Sequence, residues 1–230
     1  MIANRKNMNP KLTAVGVACL FCAWTTSAAT NTTSPDRISL YEVPFVCPAA
    51  PQIGCGSRAK PILQALEKEA PVAEAWLNRG GTVIAVVWKS EAKRKDRTST
   101  LKAISKKEEF EARELSGAAK KKAMKDFLSR EGWHRGSDVD RLSEEEAGII
   151  AARLVRRIQA KVSVSEEKAE AIRVEFADIF KRRFTGAQDN EETNLEERLL
   201  KVIQGHLDEK DVLILKETLP RSARPLPGEQ

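Results

Sequence analysis

Two cysteines, Cys47 and Cys55, are the strongest candidates for a functional site in this chain of 230 residues. Seven residues separate them, and the two prolines and one glycine among these seven are typical of a loop. Two thiols held by one short loop can form a disulfide, bind a soft metal ion such as Cu(I) or Hg(II), or exchange electrons with another thiol pair. All three uses stay open here, and a disulfide can be the resting form of a metal site.

The residues that follow Cys55 predict that its thiol is reactive. A helix is expected to begin at Ser57, a good N-cap residue, which places the positive end of the helix dipole beside the Cys55 sulfur. Arg58 and Lys60 add positive charge, and both effects lower the pKa of a thiol. Two thiolates suit a soft ion that tolerates few ligands, whereas a zinc site takes four. As metal ligands, Cys47 and Cys55 therefore favour Cu(I) or Hg(II).

Strands and a helix on either side of the loop are expected to position the two cysteines. Residues 38–46 are rich in β-formers and predict a strand, and residues 57–70 predict an amphipathic helix. Residues 72–88 predict a β-hairpin with Gly80 and Gly81 in its turn. The second strand of this hairpin is apolar on both faces, so we expect it to lie in the middle of the sheet.

The order strand, cysteine loop, helix, strand, tight turn, strand over residues 38–88 resembles the first three-quarters of a heavy-metal-associated domain. That domain is a ferredoxin-like βαββαβ module, and the segment is similar to periplasmic mercury-binding proteins and copper chaperones. In this family the first loop carries two cysteines that bind a soft cation, so the resemblance implies that Cys47 and Cys55 are metal ligands. The family has two residues between its cysteines, and Phe45 stands where the family has methionine.

The second half of the chain is strongly charged and has the periodicity of helices. Ser143 and Glu146 have the spacing of a capping box and predict a helix start. Either Ser165 or Ser163 is expected to cap the next helix, and Asn194 is expected to cap a further one. Each of these helices carries an apolar stripe, which is interpreted as a packing face. The stripes consist of Ala147, Ile150, Ala151, Leu154 and Ile158, then Ile172, Phe176, Ile179, Phe180 and Phe184, and then Leu199, Val202 and Ile203. The predicted fold class is therefore α+β, with a small N-terminal ferredoxin-like sheet followed by an all-α helical region.

The N-terminus has the composition of a secretory signal peptide. A positively charged start is followed by thirteen apolar residues and then by small residues that suit cleavage after Ala29. The apolar run is shorter than the roughly twenty residues of a membrane span, so an uncleaved anchor is the less favoured alternative. Cleavage would remove Cys19 and Cys22 and leave two cysteines in an oxidising compartment, the periplasm or the cell exterior.

The mature chain is expected to consist of several segments. These are a spacer over residues 30–37, a heavy-metal-associated-like α+β domain over 38–100, a helical region over 101–219 and a disordered tail over 220–230. The net charge of +6 falls to about +3 without the leader. This small, dispersed excess argues against nucleic-acid binding, and a contact with the membrane is expected only through the leader.

These features predict a periplasmic or secreted protein that binds a soft metal ion through Cys47 and Cys55. The alternative is a non-catalytic, chaperone-like interaction protein, in which the two cysteines form a structural disulfide and the helices bind a protein partner. Residues 162–172 faintly resemble the Leu-Thr-x-x-Gln repeat of periplasmic stress chaperones, which suggests that alternative. An enzyme is not expected, because the sequence has no Ser-His-Asp set, phosphate loop or metal-hydrolase motif, and His134 and His206 lack ligand spacing.

Overall fold

The computed structural model describes residues 34–186, 194–218 and 224–229. Five strands in these ranges are β1 (Ile38–Glu42), β2 (Val72–Asn78), β3 (Val83–Trp88), β4 (Arg113–Glu114) and β5 (Trp133–Arg135). Seven α-helices accompany them: α1 (Gly56–Lys68), α2 (Arg94–Lys107), α3 (Gly117–Ser129), α4 (Asp140–Gln159), α5 (Glu166–Thr185), α6 (Leu195–His206) and α7 (Glu209–Thr218). The described chain is a mixed α/β protein that is mostly helical. The predicted signal peptide, residues 1–29, lies outside the described residues.

The strands form one antiparallel sheet in the order β4-β1-β3-β2-β5. β3 lies in the middle of this sheet, and its five residues from Ile84 to Trp88 are at most 2% exposed. A strand that is covered on both faces needs apolar residues at consecutive positions, which explains the continuous apolar run. The prediction that this strand is central and buried is confirmed.

The turn between β2 and β3 has one residue in the left-handed region. Gly81 has a φ of 69°, a conformation that glycine adopts without a steric penalty, whereas Gly80 keeps a negative φ. The side-chain oxygen of Asn78 accepts hydrogen bonds from the backbone N–H groups of Thr82 and Val83, each at 2.9 Å. The predicted hairpin is confirmed, and only one of its two turn glycines needs a positive φ.

Two short strands lie within the part of the chain for which the sequence predicts only helices. β4 pairs with β1 at one edge of the sheet, and β5 pairs with β2 at the other edge. Both residues of β4, Arg113 and Glu114, are exposed and charged, so no apolar alternation marks them as a strand. Pairing with a neighbouring strand edge defines these elements, and the prediction of an all-α region holds only from α4 onward.

Helices cover both faces of the sheet. Because successive side chains of a strand point to opposite faces, β3 contributes to two separate cores. Ile84, Val86 and Trp88 pack in the core that includes α1 and α2, whereas Ala85 and Val87 pack in the core that includes α3. The sheet is therefore enclosed between two helical layers.

The C-terminal helices share a third apolar core. α4 and α5 pack against each other, and α6 and α7 add to the same cluster. Its members include residues of the predicted stripes: Ile150, Leu154, Ile158, Ile172, Phe176, Phe180 and Ile203. The interpretation of these stripes as packing faces is confirmed.

The predicted helix caps have different outcomes. Ser165 and Asn194 each accept a backbone N–H bond at the start of α5 and α6, which confirms both N-caps. The predicted capping box is wrong, because α4 already begins at Asp140. Ser143 and Glu146 lie inside that helix and are 0% and 5% exposed, so packing rather than capping determines their roles.

Within the described ranges, no helix combines the length and the apolar character that a membrane span requires. Of the tail over residues 220–230, the structure describes 224–229, and the remaining positions lie outside the described residues. This described segment contacts α4, where the Arg157 guanidinium donates a hydrogen bond to the carboxylate of Glu229 at 2.7 Å.

Candidate functional site

The loop between β1 and α1 folds back on itself and brings the two cysteines together. Val46 and Gly54 form an isolated antiparallel bridge across the base of this loop. Inside it, the Cys47 N–H donates to the carbonyl of Ile53 at 2.9 Å. These contacts place the start and the end of the loop side by side, so Cys47 lies close to Cys55 despite the seven residues between them.

The β2–β3 turn supports this cysteine loop through close backbone contacts. The Phe45 N–H donates to the carbonyl of Gly81 at 2.9 Å, and the Gly54 N–H donates to the carbonyl of Arg79 at 2.6 Å. A Cβ atom on Gly81 would lie 2.4 Å from the Phe45 oxygen and 2.5 Å from the Gly54 Cα. Both glycines are therefore needed for the close approach that holds the cysteine loop against the sheet.

The two thiols lie in one small cluster and are almost completely buried. Cys47 is 1% exposed and Cys55 is 8% exposed. Both are free thiols in this structure. Ala50 and Ile53 complete a small apolar cluster around them. The structure thus brings together the two residues that the sequence predicts as a site.

Cys55 occupies the N-cap position of α1, which the sequence assigns to Ser57 instead. A hydrogen bond from Cys47, opposed by burial, lowers the pKa of the Cys55 thiol to about 5. The Ser57 hydroxyl at 3.3 Å, the Arg58 backbone N–H and the Arg58 charge act in the same direction. The position at a helix N-terminus is a known cause of a stable thiolate.

The pKa of the Cys47 thiol is shifted in the opposite direction from that of Cys55. Its hydrogen bond to Cys55, its burial and its contact with Glu146 all raise the pKa of the Cys47 thiol above its ordinary value. The Cys47 Sγ lies 3.0 Å from the Oε1 atom of Glu146. The site therefore contains one thiol that favours the thiolate and one that favours the protonated form.

One face of α4 supplies residues that sequence analysis did not assign to the site. Glu146 contacts Cys47, Ile149 packs on the cysteine cluster, and Arg153 donates to the carbonyl of Ala49 at 2.7 Å. Burial raises the pKa of the Glu146 carboxyl. A signal for these residues exists in the sequence, since Glu146 and Arg153 are seven apart on a helix and interrupt an apolar stripe.

The remaining candidate metal ligands are not part of this site. In the described chain, no group of three or more His, Cys, Asp or Glu residues is arranged to hold a metal ion. His134 lies 3.8 Å from Asp138, and His206 lies 2.7 Å from Glu175, so each histidine has a carboxylate neighbour of its own. The two cysteines are left as the candidate ligands.

Comparison with models of protein families, with curated proteins and with solved structures found no match to this chain. Its function is therefore inferred from the geometry of the cysteine loop and from the chemistry of the residues around it.

Proposed function

We propose that this chain is an exported protein that binds one soft metal ion, with Cys47 and Cys55 as two thiolate ligands. The observation that carries this proposal is that Cys47 and Cys55 share one buried cluster at the N-terminus of α1. One of them favours the thiolate, which is the form that binds metal ions. Export and a periplasmic or secreted location belong to the proposal through the leader at residues 1–29.

The topology around the loop supports a ferredoxin-like, heavy-metal-associated interpretation. From β1 to β4 the elements follow the order βαββαβ, which is the order of the ferredoxin-like module. The cysteines occupy the connection between the first strand and the first helix, where the heavy-metal-associated domains carry theirs. β5 adds a fifth strand beside β2 at the opposite edge from β4.

The donor set limits the kind of ion. In the described residues no group of three or more His, Cys, Asp or Glu side chains is arranged to hold a metal ion, and the neighbouring Glu146 offers only a hard carboxylate oxygen. Two sulfur ligands therefore match a soft ion of low coordination number. Cu(I) and Hg(II) fit this requirement, whereas a structural zinc site needs four ligands. Cys47 and Cys55 would hold the ion as thiolates, so binding would release the proton of the Cys47 thiol.

A titration of the reduced protein with Cu(I) in competition with a chromogenic chelator tests the proposal. All variants carry Cys19→Ser and Cys22→Ser, so that Cys47 and Cys55 are the only thiols. We expect about one ion per chain in this background and the loss of competitive binding when either remaining cysteine is replaced by serine. Equal binding in the background protein and in the variant that lacks all four cysteines would reject the proposal.

A second candidate function is a non-catalytic interaction protein in which Cys47 and Cys55 form a structural disulfide. The observation in its favour is the near-complete burial of two thiols in one cluster, which suits a covalent link between the ends of the loop. Its protein partner would bind the helical part of the chain. Intact-mass measurement of protein isolated without reductant detects the disulfide, because it lowers the mass by two hydrogen atoms. The Cu(I) titration after reduction then separates the two candidates, since a purely structural disulfide predicts no binding by the reduced protein.

A further inference from the structure

The described C-terminal segment, residues 224–229, is anchored to α4 by a fork of hydrogen bonds. Two guanidinium nitrogens of Arg157 donate to the two carboxylate oxygens of Glu229, and one of them also donates to the carbonyl of Arg224. The Glu229 carboxylate accepts the N–H of Leu226 at 2.8 Å, so the segment closes a turn on itself. A bidentate arginine–carboxylate pair is geometrically specific, and its anchor, the Arg157 side chain, is only 10% exposed.

A cavity of about 530 Å³ lies between this segment and the cysteine loop. Pro51 and Gln52 of the loop form one wall, and Pro225 and Glu229 of the C-terminal segment form another. Arg153 also lines this cavity. The segment and the loop therefore face each other across a shared space.

Neighbouring turns of α4 hold the cysteine loop and the C-terminal segment. Arg153 donates to the carbonyl of Ala49 in the cysteine loop, and Arg157, four residues further along, donates to Glu229. Residues four apart lie on the same face of a helix. Arg153 is only 1% exposed, which shows that the loop and its surroundings cover this part of α4.

We propose that residues 224–229 are an intramolecular strap that closes the cavity beside the cysteine loop and slows access to Cys47 and Cys55. The strap holds its position through the carboxylate of Glu229 on Arg157. When it is released, the cavity that Arg153 lines opens to solvent, the hold of Arg153 on the carbonyl of Ala49 weakens, and the loop opens more often. The inference rests on the proposed function only in treating these two thiols as the working groups of the protein.

The rate of thiol alkylation by iodoacetamide tests the strap. The assay uses the full chain with Cys19→Ser and Cys22→Ser, reduced and free of metal, and mass spectrometry assigns the modified residue. Glu229→Lys places like charges together at Arg157, and we expect it to raise the alkylation rate about fivefold because opening of the loop controls access. Glu209→Lys is the matched control, since Glu209 is an exposed glutamate at the start of α7, and its rate should stay within about twofold.

A charge exchange distinguishes loss of the strap from general destabilisation. Arg157→Glu alone should accelerate alkylation, and the double variant Arg157→Glu with Glu229→Lys should return the rate to within about twofold of the background protein. Failure of the double variant to restore the rate overturns the proposal, as does a Glu229→Lys rate equal to that of the control. Amide hydrogen exchange of residues 48–53 in the Glu229→Lys protein must rise in parallel, and unchanged exchange there also refutes the strap.

The outcome is independent of metal binding. A protein that binds no Cu(I) but shows the fivefold change keeps the strap and rejects the proposed function. A protein that binds Cu(I) with unchanged alkylation rates keeps the proposed function and rejects the strap.

Discussion

Replacement of Gly81 by alanine is expected to destabilise the protein severely and to disturb the cysteine loop. The residue has a φ of 69°, and a left-handed conformation costs an L-residue with a Cβ roughly 1–2 kcal/mol. The new Cβ would lie 2.4 Å from the Phe45 oxygen and 2.5 Å from the Gly54 Cα, so the backbone has to move. That movement would weaken the hydrogen bonds that Phe45 and Gly54 make to the turn, at about 1 kcal/mol each.

These contributions add up to a loss of roughly 3–4 kcal/mol in the free energy of unfolding. Gly80→Ala is the matched control, because the nearest atom to a Cβ at Gly80 is 3.8 Å away and its φ is not positive. Urea denaturation followed by circular dichroism measures both variants. With a slope of about 2 kcal/mol per molar urea, the midpoint should fall by roughly 1.5–2 M for Gly81→Ala and by less than about 0.5 M for the control. Equal midpoints for the two variants would contradict the role assigned to Gly81.

Three further changes test other parts of the structure. Gly56→Ala should lower the free energy of unfolding, measured by urea denaturation, by about 2–4 kcal/mol, because its Cβ would lie 2.5–2.7 Å from atoms of α4 and of the turn before it. Gly148→Ala has open space around its Cβ and should instead stabilise α4 by about 0.5–1 kcal/mol. Phe127→Ala should lower the free energy of unfolding by about 3–5 kcal/mol because the ring is fully buried. Leu128 is 49% exposed, so Leu128→Ala should lower it by less than about 0.5 kcal/mol. Equal losses of stability in thermal unfolding would refute this difference in burial. Since the pKa of Cys55 is lowered to about 5, the rate at which iodoacetamide alkylates this thiol should be constant from neutral pH down to about pH 6. At lower pH the rate should fall because protonation removes the thiolate. A rate that already declines below pH 8 would contradict the lowered pKa.

Local sequence signals predicted the β2–β3 hairpin and the starts of two helices. The Gly80-Gly81 pair predicted the hairpin because a tight turn needs a residue that tolerates positive φ, and the structure places that φ at Gly81. Ser165 and Asn194 predicted helix starts because their side chains satisfy N–H groups within the next turn. Such signals act over a few residues, so they are visible without the tertiary structure.

Contacts between residues that are distant in sequence explain which predictions were wrong. β4 and β5 exist because neighbouring strands pair with them, and the exposed charges of Arg113 and Glu114 gave no indication of a strand. The Ser143–Glu146 spacing suggested a capping box, but the helix begins earlier and both residues are buried. Burial and strand pairing depend on segments that are distant in sequence, which is why pattern analysis assigned these residues wrongly.

The amino-acid sequence by itself determined that two cysteines stand on one loop ahead of a helix and that a glycine turn follows, because backbone conformation at these places depends on nearby residues. Tertiary structure alone decided how the two thiols differ. The carboxyl of Glu146 reaches Cys47 from 99 residues away, and the shared cluster of the two thiols depends on how the loop packs against the β2–β3 turn and α4. The charge state of a buried sulfur depends on its neighbours in space, and these come from parts of the chain that no local spacing connects.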